Sequence, residues 1–135
     1  MSTWNFDVLT RIDLRNTAMT GSLDWVAAGD ANPNLKQIYL QGTSTSPCQY
    51  TSDLTRFSRF VMMEYLLVRS CPGVTGSVTD WSSMVRARIL YLDGSTNLVG
   101  DVTGWSALTS AYIIALHENP GIRGDISNWD GADIE

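Results

Sequence analysis

Basic residues are scarce in this chain of 135 residues: nine Lys and Arg stand against fourteen Asp and Glu, giving a net charge of −5 and a pI near 4.6. A nucleic-acid binder needs a basic footprint, so no nucleic acid is expected as a partner. Apolar runs are short, and none approaches the ~18–20 residues needed to cross a bilayer. There is one histidine, His117, with no Asp-x-Asp-x-Asp calcium loop and no phosphate-cradling glycine loop, so neither metal nor cofactor is expected. Two cysteines, Cys48 and Cys71, are too few for a disulfide framework and match no zinc spacing. No Asn-x-Ser/Thr acceptor occurs, since Asn16-Thr17-Ala18 and Asn128-Trp129-Asp130 both fail at the third position. The opening stretch, residues 1–7, carries neither the basic nor the apolar part of a secretory signal. A cytosolic protein, a mature form and an excised piece of something larger all fit that start, so the compartment stays open.

What the chain does have is self-similarity. A Gly/Ser-x-aliphatic-x-x-aromatic cluster reads Ser52-Asp53-Leu54-Thr55-Arg56-Phe57, Gly76-Ser77-Val78-Thr79-Asp80-Trp81, Gly100-Asp101-Val102-Thr103-Gly104-Trp105 and Gly124-Asp125-Ile126-Ser127-Asn128-Trp129, with a constant spacing of 24. A shorter version, Gly21-Ser22-Leu23-Asp24-Trp25, lies upstream. A fixed period in the range of about 20–50 residues marks a solenoid, whose units bury their apolar faces only against their neighbours. A hydrophobic content of 44% is enough for a core, and residues 1–135 are expected to form a single domain.

A second pattern precedes each cluster: Leu9-x-x-Ile12-x-Leu14, Leu35-x-x-Ile38-x-Leu40, Met63-x-x-Leu66-x-Val68, Ala87-x-x-Leu90-x-Leu92 and Ala111-x-x-Ile114-x-Leu116. The closing apolar-x-apolar is strand alternation, one face buried and one turned outward. Stacked unit on unit, these strands predict a parallel sheet. Three residues after each strand comes Thr17, Thr43, Cys71, Ser95 or Asn119. These are read as a buried polar ladder that satisfies backbone groups where the chain leaves the sheet. Farther on, apolar residues step by three (Phe57, Phe60, Met63; Trp81, Met84, Ala87; Trp105, Leu108, Ala111), which suits a 3₁₀-like turn behind the sheet. The aromatic column could be a stacking platform for ligands, but aromatics at a fixed solenoid position fill the core, and it is assigned there.

Together these residues resemble the plant-type leucine-rich repeat, whose consensus is Leu-x-x-Leu-x-Leu-x-x-Asn-x-Leu-x-Gly-x-Ile. Asn119 through Ile126 follows it closely, and Trp81-Ser82-Ser83-Met84 and Trp105-Ser106-Ala107-Leu108 resemble the repeats of kinetoplastid surface antigens. The resemblance covers residues 9 to 129. Departures from the pattern are clear: the Pro after the consensus Ile is replaced by Asp24, Thr79, Thr103 and Ser127; leucines often become Ala, Met or Val; and one extra residue separates ladder from Gly in the last three units. The resemblance implies an α/β leucine-rich-repeat solenoid of five turns. It would have a short parallel sheet on its concave face and irregular, 3₁₀ or extended segments on its convex side. Such proteins act at cell surfaces as receptors, adhesins or antigens.

Two units are longer, so loops are expected to swell around Ala27–Pro33 and Gly42–Tyr50, and insertions in a solenoid emerge at its turns. Neither residues 1–7 nor residues 131–135 read as a polar cap, which suggests a segment of a longer array. Cys48 and Cys71 fall in neighbouring units; a bridge between them and a buried free thiol at Cys71 both fit the spacing.

Chemistry finds little support, and an enzyme is not expected: a lone histidine beside Glu118 does not make a catalytic constellation. The strand faces turned outward are the better candidate. Their central row is Asp13, Tyr39, Leu67, Tyr91 and Ala115. The flanking rows are Arg11, Gln37, Tyr65, Ile89, Ile113 and Arg15, Gln41, Arg69, Asp93, His117. Tyr39, Tyr65, Leu67, Tyr91, Ile89 and Ile113 form an apolar, aromatic surface of the kind that marks a contact site, with polar contacts from Arg11, Arg15, Arg69, Asp93 and His117. The expectation is a protein- or peptide-binding module. The alternative is a structural spacer that stacks with further repeats or self-associates through uncapped ends, and carbohydrate binding by the tyrosine row is a third reading.

Overall fold

The computed structural model describes residues 8–27, 33–129 and 133–134. The backbone runs repeatedly through two parallel sheets. Strands β1 (Arg11–Asp13), β3 (Gln37–Gln41), β5 (Tyr65–Arg69), β7 (Ile89–Tyr91), β9 (Ile113–Ala115) and β11 (Asp133–Ile134) form the first, in that order. The second runs β2 (Thr20–Ser22), β4 (Gln49–Asp53), β6 (Val74–Ser77), β8 (Leu98–Asp101), β10 (Gly121–Arg123). Short 3₁₀ helices at Asp24–Ala27, Leu54–Arg59, Thr79–Ser83 and Thr103–Ala107 follow the strands of the second sheet. The arrangement is α/β and repeat-like, with its helical share in 3₁₀ geometry.

The apolar columns meet in the register that the 24-residue spacing requires. Ile12, Ile38, Leu66, Leu90 and Ile114 are Cα partners across five successive strands, and all are buried. The sixth strand, β11, was not expected: it pairs Ile134 with Ile114 only 20 residues on, without the apolar triplet that marks the others.

The second sheet was expected only as extended segments. Four of its five short strands contain glycine, and none shows a strict alternation of apolar and polar residues in sequence, so they carry no clear period-two signal; in β4 the burial alternates, but around Tyr50 and Ser52 rather than aliphatics. Glycine is what lets it form. Gly76, Gly100 and Gly124 have φ of 118°, 139° and 153°, and a Cβ at Gly124 would lie 2.7 Å from the Thr103 nitrogen of the preceding unit. Only a residue without Cβ fits both the backbone and the space.

Beyond this sheet the chain continues by repeated i→i+3 bonds. Met84 N donates to Trp81 O and Ala87 N to Met84 O, and the next unit repeats this through Leu108 and Ala111. Phe57, Trp81 and Trp105 are buried, and Trp129 partly so. The indoles stack at centroid separations of 6.3 Å (Trp81–Trp105) and 6.1 Å (Trp105–Trp129), nearly parallel. Trp81 Nε1 donates to Leu54 O and Trp105 Nε1 to Val78 O, so the polar edges of these two rings are satisfied by the unit before, whereas the buried Trp129 Nε1 has no hydrogen-bond partner among the described residues. The first unit departs from the column: Trp25 is 42% exposed and Val26, at 2%, takes the interior position. The physical reason is length, because Trp25 comes one residue sooner after its glycine than Trp81 or Trp105.

Where the consensus Pro is missing, a hydroxyl does the work. Thr55, Thr79 and Thr103 Oγ1 accept from the backbone N–H of Ser77, Asp101 and Asp125, each one unit farther on, at 2.9, 3.0 and 2.9 Å.

The inner ladder holds in part. Ser95 Oγ donates to Val68 O at 2.9 Å, and Asn119 Nδ2 bonds the equivalent Leu92 O of the unit before it. Cys71 is buried at the same position but forms a disulfide with Cys48, so its sulfur has no proton to give Leu40 O, 3.7 Å away. Thr43, expected in the ladder, is exposed instead and closes a turn with Ser46. The swollen loop carries it outward, and Tyr50 replaces it: the buried phenol reaches back to within 3.2 Å of Leu14 O and bonds the Thr17 hydroxyl. Thr17, with no described unit in front of it, is exposed and donates to Leu14 O of its own strand. Most of the other expected swelling, residues 28–32, and the terminal stretches 1–7 and 130–132 lie outside the described residues.

Candidate partner-binding face

The outward face of the first sheet follows from alternation alone: in β3 and β5, residues 38, 40, 66 and 68 are buried while 37, 39, 41, 65, 67 and 69 are half-buried. Register then aligns them. Arg11, Gln37, Tyr65, Ile89 and Ile113 form one row, and Asp13, Tyr39, Leu67, Tyr91 and Ala115 the next. The third row continues past the strand ends, where Asn16 N bonds Gln41 O, Gly42 N bonds Arg69 O, Ser70 N bonds Asp93 O and Gly94 N bonds His117 O. All eleven candidate contact residues therefore share one face. Tyr39, Tyr65, Leu67, Ile89, Tyr91 and Ile113 are half-buried, which leaves part of each ring or aliphatic chain open. Ala115 is fully buried, so the central row offers surface only as far as Tyr91.

The charged residues on this face largely neutralise one another. Asp13 accepts from both Arg11 and Arg15 at 2.7 Å. The Arg15 bond, then that of Arg11, holds its carboxyl well below the ordinary carboxylate range. Both guanidiniums lie 4.9 Å from the Tyr39 ring centroid, a cation–π arrangement that fixes the ring from one side. Arg69 repeats the motif, 5.1 Å from the Tyr91 centroid and 2.9 Å from Asp93 Oδ2, with His117 Nε2 at 3.5 Å from the same oxygen. Asp93 is 7% exposed, and its Oδ1 accepts no hydrogen bond from the described residues. That leaves a buried carboxylate oxygen with unused acceptor capacity beneath the face.

Sequence reasoning missed the row at the strand entrances. Lys36, Glu64, Arg88 and Tyr112 succeed one another there: Glu64 N bonds Lys36 O, Arg88 N bonds Glu64 O and Tyr112 N bonds Arg88 O. Glu64, Arg86, Arg88 and Ser110 line a shallow cleft of about 190 Å³. Tyr112 interacts with the Tyr65 phenol, joining this flank to the outward face. Partial desolvation, with Tyr65 adding to it, raises the Tyr112 phenol above its ordinary value while nearby Arg88 pulls the other way. The only available signal was position, since these residues precede the alternating triplet by one or two places and break its period. On the opposite margin, the swollen loop and the first unit enclose a second cleft of about 330 Å³, lined by Asn16, Thr17, Ala18, Gly42, Thr43, Ser46, Pro47 and Gln49.

Among the described residues no group of His, Cys, Asp and Glu is arranged to hold a metal ion, and no helix is long and apolar enough to cross a membrane. Compared with known protein families and with curated proteins, the chain matches none.

Proposed function

We propose that the chain is a leucine-rich-repeat solenoid acting as a binding module rather than a catalyst, and that it recognises a protein or peptide segment on the outward face of its first sheet. One observation carries this reading. A continuous surface of Tyr39, Tyr65, Leu67, Ile89, Tyr91 and Ile113 stands half-open on an otherwise well-satisfied sheet, with two of its tyrosines braced from the side by arginines. Rings already fixed in place lose little entropy on contact, the property that suits Tyr and Arg to anchor an interface. By its repeat resemblance the module belongs at a cell surface, as a receptor, adhesin or antigen.

The test is selection of a displayed random-peptide library on the intact chain. The double substitution Tyr39→Ala with Tyr91→Ala should abolish recovery of the selected peptides while the melting temperature moves by only a few degrees, because both side chains are partly solvated. Equal recovery on the double variant would refute the reading. A second reading, as a stacking spacer, draws on the last unit, where Ile126 is 46% exposed although its counterparts Val78 and Val102 are buried. Concentration-dependent assembly in sedimentation velocity would support it.

A further inference from the structure

Charge is divided unevenly between the two sides of the molecule. Arg11, Arg15, Lys36, Arg69, Arg86 and Arg88, six of the chain's nine basic residues, lie on the first sheet or at its strand entrances. Of the acids with described side chains, Asp13, Glu64, Asp93 and Glu118 accompany them, Glu118 following His117 at the end of the third row, near Gly94. Asp24, Asp53, Asp80, Asp101 and Asp125 all belong to the second sheet and its 3₁₀ turns, where Arg56, Arg59 and Arg123 are the only bases. A chain of net charge −5 thus presents a locally positive side.

The positive charge on that side is not evenly available. Arg11 and Arg15 are engaged by Asp13, and Arg69 by Asp93. Lys36, Arg86 and Arg88 form no ion pair among the described residues. Two of them share the cleft with Glu64 and Ser110, two guanidiniums against one carboxylate, and the cleft adjoins the Tyr65–Tyr112 pair. Guanidinium planes with a hydroxyl at hand suit bidentate recognition of a carboxylate.

We infer that the partner is an extended acidic peptide segment: apolar side chains on the Tyr39–Leu67–Tyr91 surface, and an Asp or Glu carboxylate in the Arg86–Arg88 cleft. This rests on the docking reading above and adds its polarity and direction. Charge complementarity of this kind selects partners and speeds encounter more than it adds affinity.

The experiment is the same displayed random-peptide selection, read for composition and repeated on Arg86→Glu with Arg88→Glu. Peptides recovered on the native chain should be enriched in Asp and Glu beside Leu, Ile or aromatic residues. A synthetic copy of one should bind about tenfold more weakly to the double variant, and selection on that variant should enrich Lys and Arg instead. A reversed preference requires a folded protein, so loss of fold cannot imitate it. Recovery without charge preference, still dependent on Tyr39 and Tyr91, would overturn this inference and leave the docking reading intact. Recovery of no peptide, or of peptides indifferent to the two tyrosines, would overturn both. Displacement of the acidic peptide by a single-stranded oligonucleotide of equal charge would overturn it by revealing a site that reads bare negative charge.

Discussion

Removing the Cys48–Cys71 bridge tests how the two swollen and regular units are held together. The bridge joins residues 23 apart and so closes a loop of about two dozen residues in the unfolded chain. Loop-closure entropy then predicts a contribution of roughly 3.5 kcal/mol at 25 °C. Against a total of about 5–15 kcal/mol for a domain this is a large share. The choice of replacement separates crosslink from ladder. In Cys48→Ala with Cys71→Ser, the new hydroxyl occupies the position from which Ser95 bonds Val68 O, and it can donate to Leu40 O. That bond should return about 1 kcal/mol, for a net loss of about 2–3 kcal/mol. Cys48→Ala with Cys71→Ala gains no such bond and should lose about 1 kcal/mol more. Equilibrium urea unfolding followed by tryptophan emission reads both, because stacked Trp81 and Trp105 leave the core together. A Ser variant within 1 kcal/mol of the native chain would refute the entropic argument, and equal stability of the Ser and Ala variants would refute the ladder assignment.

Gly100→Ala should cost about 2–3 kcal/mol, because its φ is 139° and the new Cβ would lie 3.0 Å from Thr79 N. Gly104→Ala, with nothing nearer than 3.9 Å, should be neutral or stabilising by about 0.5 kcal/mol, and melting curves of the pair would show the contrast. Acid should destabilise the fold. Asp13 is held down by Arg15 and then Arg11, and Asp53, Asp101 and Asp125 by bonds from Thr55, Thr103 and Ser127, so their folded values lie below the ordinary 3.8. Their contribution is complete above about pH 4 and is lost as pH falls through the lowered folded values. Melting temperature should therefore drop below pH 4, less steeply in Asp101→Asn; a native chain equally stable at pH 5 and pH 2 would contradict this.

Legibility followed periodicity. The outward rows could be written down from alternation and the spacing of 24, because a parallel sheet built from equal units has one register that buries Ile38, Leu66, Leu90 and Ile114 together. The second sheet was illegible because four of its five strands carry glycine and none presents an alternating apolar face in sequence; β4 alternates in burial only through Tyr50 and Ser52. Thr43 and Trp25 were misplaced for one reason: the units they sit in depart from the common length, and a fixed offset then names the wrong residue. Tyr50, which takes over from Thr43, could not be found by offset at all, since it lies seven residues later. Thr79 and Thr103 were legible only as departures from a consensus, and their bonding role needed the neighbouring unit in place. The Arg86–Arg88 cleft likewise arises from residues two units apart in sequence, which no local pattern joins.

The anchoring of the long loop by Cys48 and Tyr50 has a practical consequence. Both feet of the segment from Thr43 to Pro47 are fastened, one at Gly42 by its bond to Arg69 O and the other by the bridge and the inward phenol, while the five residues between are exposed. Apart from the Thr43 hydroxyl that closes the turn by accepting from Ser46 N, their side chains stand outside the core. The crest can be exchanged for a foreign sequence, an epitope or a tag, and the scaffold should display it at a fixed height beside the sheet.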